Sequence, residues 1–306
     1  MNVREWALPV YTILMQLSVG ALLVLWVIRL AARKRFSPED MDRITRNPLL
    51  VISFTVMVAM LASHFHLSKP LHSFYAVRNF RTSWLSREVV FTLLFLFALG
   101  ATWYASRYHP LHRKFIGSMG WIAILLGFIV MYCMARIYSL PTQAAWNSAT
   151  VLFSFLTTAL LLGSLTMACL LVLDMKFAEI QKANDVPLRI DVIEHALGPL
   201  AGAALILVAA SLTMTIYQVS VLARGEIISQ TSVDLLFRLY TPLFWARNVL
   251  LLVASLWVTF SVYQARKGNS GVQNLLTPVY LSCLIVLIAE IIGRFLFYAT
   301  HVRVGI

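Results

Sequence analysis

Eight runs of about twenty apolar residues, separated by short polar connections, organise this chain. They fall at about 8–30, 48–67, 88–106, 115–135, 147–173, 196–220, 241–263 and 275–298. Crossing the hydrocarbon core of a bilayer takes about 20 such residues. A lone segment in that medium must satisfy its own backbone hydrogen bonds, which makes each run a helix. None of them shows the short alternation of a membrane β-strand. The pattern therefore predicts an all-α membrane protein, a single bundle of eight transmembrane helices spanning residues 1–306. Trp6, Trp84, Trp103, Tyr138, Trp146, Tyr263 and Tyr298 stand near the ends of the runs, as interfacial aromatic belts do. Gly198 and Gly202 have the small-xxx-small spacing that predicts close helix packing in the sixth run. The longest connection, about 174–195, carries mixed charge and is expected to be a short amphipathic excursion.

Composition agrees. Of 306 residues, 60% are hydrophobic and 12% charged, and the mean hydropathy is +0.79, which excludes a soluble domain. The apolar core of the first run is too long for a signal-peptide h-region, so it is read as a retained span. The formal charge of +12 is ordinary flanking charge for such a protein, not a nucleic-acid footprint. Cys133, Cys169 and Cys283 stand singly inside apolar runs, with neither metal-ligand nor disulfide spacing. Connections after the odd-numbered spans hold fourteen Lys and Arg, against nine on the other side. The positive-inside rule then puts both termini on the outer, periplasmic side of a bacterial inner membrane. No connection is long enough to house a soluble catalytic domain, and no nucleotide-binding or hydrolase motif occurs.

Candidate chemistry gathers around one connection. The stretch HLSKPLHSFYAVRNFRTSWLSRE, residues 66–88, begins on a histidine that closes the second run and ends on a carboxylate that opens the third. On the expected topology His66, Glu88, Arg136, Tyr138, Arg247, Glu290, Arg294 and His301 all fall at the outer end. Intramembrane ionisable groups mark functional sites by default, and their convergence predicts one polar cavity. Plainer readings compete. Glu88 could simply complement a helix dipole. Glu290 and Arg294, at i and i+4, could neutralise one another, with Arg247 sharing the pair, and that structural reading is favoured for the trio. A b-type haem would need two histidines at equal depth; His66 and His301 come nearest, yet His301 falls past its helix. Oxidising a lipid-soluble quinol fits better, because it needs a base for the departing protons and hydrogen-bond partners for both ring oxygens. A secondary transporter coupled through Arg247, Glu290 and Arg294 is the competing class, but the interrupted helices and repeats of such proteins are not evident.

The segments HLSKP (66–70), SWLSRE (83–88), ARIYSLPTQAAWNS (135–148), ARNVLLLVASLW (246–257) and EIIGRFLFY (290–298) resemble the membrane anchor subunit of bacterial dimethyl sulfoxide reductase, the DmsC family. The resemblance runs through most of the chain in matching order. It implies an eight-span anchor that binds menaquinol and holds no haem or metal of its own. It further implies an iron–sulfur electron-transfer subunit and a molybdopterin catalytic subunit as partners. Glu88 and His66 then take the quinol-oxidising roles, with Asn79, Ser86, Arg136 and Tyr138 around the ring. Lys69, Arg78, Arg81 and Arg87 would face the docked iron–sulfur subunit. An anchor of the related polysulfide reductase type is the nearest alternative.

Overall fold

The computed structural model describes residues 6–64, 75–143, 145–268 and 272–302. Nine α-helices are found there: α1 (Ala7–Ala32), α2 (Pro38–His64), α3 (Trp84–Tyr108), α4 (Arg113–Tyr138), α5 (Thr150–Ile180), α6 (Val186–Ala223), α7 (Ile227–Arg238), α8 (Thr241–Arg266) and α9 (Leu276–Ala299). Among the described residues there is no β-strand. All but α7 are long and apolar enough to cross a membrane, and each overlaps one of the eight expected runs.

Three local features differ from expectation. The 174–195 connection is mostly helix: α5 runs on to Ile180 and α6 starts at Val186, leaving a five-residue turn. At 1.5 Å per residue, the 31 residues of α5 and 38 of α6 reach about 46 and 57 Å, beyond a hydrocarbon core of about 30 Å. Apolar runs mark where lipid begins and ends, not where a helix does. The second feature is α7, twelve residues that the apolar pattern does not reveal, lying between α6 and α8. Third, the glycine pair of α6 is not a helix–helix contact. A Cβ on Gly198 would meet the Arg266 guanidinium, and one on Gly202 would meet nothing within 4 Å.

The close approach lies between α1 and α5 instead. A Cβ added at Gly20 would strike the Ala159 carbonyl, and one at Gly163 would strike the Gly20 backbone. Without a hydrophobic drive between helices in lipid, such backbone contact is what holds two spans together. Gly163→Leu is expected to force α1 off α5, so that far less folded protein is recovered from membranes. Size-exclusion chromatography of solubilised protein checks this, with Gly202→Leu as the tolerated control.

The α1–α2 hairpin is pinned by charge. Arg29 donates to Asp42 at 2.6 Å and to Thr45 Oγ1 at 3.0 Å. The α5–α6 hairpin is pinned likewise, by an Asp174–Arg189 ion pair, with Asn47 of α2 donating to Asp174 at 2.6 Å. Asp42, Asp174 and Arg189 are buried. This corrects the expectation that ionisable groups within the bundle gather at one end only. A second set forms at the opposite end, because helices extending past the apolar runs bring residues of the expected loops against their neighbours.

Candidate functional site at one end of the bundle

Antiparallel succession brings the N-termini of α1, α3, α5 and α8 to the same end as the C-termini of α4, α6 and α9. Here α3 begins. Ser83 is its N-cap and accepts the Ser86 N–H at 3.3 Å, as short polar side chains do at helix starts. That cap sets Glu88 in the second turn, facing inward and only 5% exposed, with Ser86 buried beside it. Thr92, one turn on, donates to the Glu88 carbonyl at 2.8 Å and shares a 3.2 Å hydrogen bond with the Tyr11 hydroxyl of α1. Tyr11 itself faces the Glu88 carboxyl group. Tyr138 and Tyr298, from α4 and α9, are hydrogen-bonded to each other and lie within electrostatic reach of Glu88.

Tyr138 is the centre of an aromatic cluster, with ring centroids of Trp146, Phe297, Tyr298 and Phe155 at 5.4, 5.3, 5.7 and 6.0 Å. Trp146 donates to the Phe297 carbonyl at 2.9 Å and stacks on His301 at 4.6 Å. His301 lies just past α9, where its Nδ1 meets the Tyr298 carbonyl.

The buried charges do not pair along α9. Glu290 takes Arg247 of α8 at 3.5 Å and a hydrogen bond from Thr158 of α5 at 2.9 Å. Arg247 also donates to Ser211 and Thr215 of α6 at 3.1 and 3.3 Å. Arg294 turns the other way, to Gln16 of α1 at 2.9 Å and over the Phe155 ring at 4.2 Å. Four helices thus meet at Glu290 and Arg247, and α1 is tied to α9 through Arg294. Spacing of i and i+4 puts Glu290 and Arg294 on neighbouring positions of one face, but nearer partners on other helices take each of them.

Around the loop, Arg87 folds back and donates to the Phe80 and Arg81 carbonyls at 3.0 and 2.6 Å. Its guanidinium covers Trp84 at 4.2 Å, and that of Arg136 approaches the same ring at 5.3 Å. Arg78, Asn79 and Arg81 are exposed, and the Asn79 carbonyl accepts the Thr82 and Ser83 N–H groups. His66 and Lys69 lie outside the described residues. His64, two positions before His66, is occupied by the Met60 carbonyl at 2.7 Å.

Tyr11 and Gln16 were not anticipated from sequence. Their signal is faint: a tyrosine and a lone amide within the first apolar run. Among the described residues, no three His, Cys, Asp or Glu side chains gather as a metal site requires.

The family model of the DMSO reductase anchor subunit (DmsC) matches residues 1–300. The chain belongs to this family. As a DmsC-family protein it is 28% identical over 308 residues to the anaerobic dimethyl sulfoxide reductase chain YnfH of Escherichia coli, covering 99% of this chain and 96% of that one. A chain of the anaerobic dimethyl sulfoxide reductase of Haemophilus influenzae is 27% identical, with coverage of 100% and 98%. A sulfite dehydrogenase subunit of Allochromatium vinosum is 29% identical over 159 residues, 47% of this DmsC-family protein and 48% of that one.

Proposed function

We propose that this chain anchors a molybdoenzyme reductase in the bacterial inner membrane and oxidises menaquinol at the end of the bundle where α3 begins. One observation carries the reading. In a family of membrane anchors, a carboxylate is buried at the start of a membrane span among tyrosines. Ionisable groups are costly there and are kept where they act.

The chemistry follows from these groups. A quinol gives up two protons and two electrons as it becomes the quinone. Glu88, at one ring hydroxyl, accepts the two protons in turn, releasing the first to the outer face before it takes the second, and His66 hydrogen-bonds the other ring oxygen. Ser86 and Tyr138 line the ring from α3 and α4, and Asn79 and Arg136 stand at the rim. Both termini and the site face the periplasm, where the protons leave. The electrons pass to a docked iron–sulfur subunit and from it to a molybdopterin subunit. Lys69, Arg78, Arg81 and Arg87 present positive charge to that partner, and complementary charge of this kind speeds and orients docking. In this arrangement Arg87 acts by holding the Phe80–Arg81 turn. The terminal acceptor belongs to the catalytic partner, and the relative matched over about half of this chain is named for sulfite dehydrogenase.

Two measurements test the proposal. Mild solubilisation and mass spectrometry should bring iron–sulfur and molybdopterin polypeptides out with this chain; a chain that purifies alone contradicts the anchor role. His66→Ala should retain those partners while quinol-dependent reduction falls at least tenfold, roughly the loss of one hydrogen-bonding group at a reacting centre. Unchanged turnover would remove His66 from the site.

A further inference from the structure

Far from Glu88, toward the opposite end of the bundle, α1 and α6 both pack on α5 but barely on each other. Gly20 and Gly163 draw α1 tightly to α5, and the gap left between α1 and α6 is a cavity of about 550 Å³ with α5 as its floor. Its walls are almost wholly apolar, with Leu160 and Ser164 beneath. Small side chains, Ala196, Pro199 and Ala203 on α6, keep it wide. Along α6 the lining runs from Val192 to Leu207, about 22 Å at 1.5 Å per residue. That covers one leaflet, half of a hydrocarbon core of about 30 Å, together with the interfacial layer above it. The groove is open to the side at Val27 and Ile206.

Its mouth is charged, with positive groups in excess once the flanking residues are included. Arg35, just past α1, reaches across to α6, meeting His195 and pairing with Asp191 at 2.7 Å. Arg33 and Lys34 precede it and are exposed. Pro199, one turn into the groove from His195, has no N–H, so the His195 carbonyl lacks its helical donor. An apolar trough one leaflet deep, with the Arg35–Asp191 pair and His195 at its mouth and two exposed cations in the residues just before Arg35, complements one kind of molecule.

We propose that this groove holds an anionic phospholipid, one acyl chain lying between α1 and α6 and the phosphate at Arg35 and His195. Basic residues at a helix end recognise anionic headgroups in this way. The bound lipid fills a void that side chains leave empty and completes the α1–α6 contact. A neutral quinone has no use for the charged mouth, and a second copy of this protein would need a protruding apolar element to enter a trough of this width.

The test uses the full-length protein, extracted and exchanged extensively into detergent, then analysed by native mass spectrometry. Wild-type protein should retain one phosphatidylglycerol, and added phosphatidylcholine should not displace it. Ala203→Phe, which fills the trough, and Arg35→Gln, which removes the headgroup partner, should each lower retention about tenfold or more, equivalent to about 1.4 kcal/mol of affinity. Chromatographic monodispersity establishes that each variant is folded, and Arg35→Gln, being on the surface, guards against loss of fold in Ala203→Phe. Equal retention in both folded variants overturns the proposal. So does displacement by phosphatidylcholine, or recovery of a quinone or a cross-linked second copy from the groove. Lipid retention is read without turnover, so it fails or stands independently of quinol oxidation.

Discussion

Glu88→Gln is expected to reduce menaquinol-dependent turnover at least 100-fold while the chain still reaches the membrane and keeps its partners. General-base catalysis contributes about 10²–10⁴-fold, and glutamine cannot take up a proton. The substitution preserves volume and hydrogen-bonding shape, so Tyr11, Thr92 and the α1–α3 contact retain their places. Among the described residues no ion pair holds Glu88, so no cation is left stranded. Stability should therefore change little. Membranes carrying the variant are assayed with a reduced quinone analogue and, separately, with an artificial donor that feeds the partner subunits directly. Loss with the first and retention with the second places the defect at the quinol. Equal activity with both donors would mean that Glu88 only complements the helix dipole. Tyr11→Phe should have a smaller effect, because the tyrosine orients the carboxyl group and takes no proton.

Arg247→Ala should be the most destabilising of the charge removals, by about 3–5 kcal/mol, the usual result of leaving one member of a buried pair without its partner. Glu290 is 4% exposed and Arg247 9%, so water cannot replace what is lost. Arg247 also serves Ser211 and Thr215, so its removal unties α6 and α8 together. Gly293 allows this arrangement, since a Cβ there would press on the Arg247 side chain. The double replacement Arg247→Met with Glu290→Gln should recover most of the loss, because no unpaired charge remains. Thermal unfolding of the detergent-solubilised protein reads both. If the double variant is as unstable as the single one, the pair does not explain the effect. Quinol turnover per folded molecule should survive in the double variant, whereas a transporter coupled through Arg247 and Glu290 would lose function with them.

Much of the architecture was legible in the order of residues. Lipid offers no hydrogen bonds, so eight long apolar runs could only be eight helices, and the structure has a helix long and apolar enough to cross a membrane at each. Glu88 could also be found, because a carboxylate at the edge of an apolar run is conspicuous. Its neighbours could not. Tyr11 lies 77 residues from Glu88 and Gln16 lies 278 from Arg294; one tyrosine and one amide in an apolar run announce nothing until the helices are side by side. The trio of Arg247, Glu290 and Arg294 shows the same limit. Helical spacing made Glu290 and Arg294 partners, and packing gave Glu290 to α8 and Arg294 to α1.

Glycine pairing failed for a related reason. Spacing in α6 suggested a contact surface, but whether a glycine faces a helix, a side chain or lipid depends on rotation about the helix axis. Periodicity cannot set that rotation when every face is apolar.

Residue order alone dictates that the chain belongs in a membrane, how many of its segments are long and apolar enough to cross one, and which polar residues lie near each end, since all three follow from transfer of side chains between water and hydrocarbon. Packing in three dimensions was needed to settle which buried groups meet, that α1 rests on α5 through two glycines, and that a groove remains between α1 and α6. Those outcomes depend on which helices become neighbours and how each is turned, and a one-dimensional hydropathy pattern carries neither quantity.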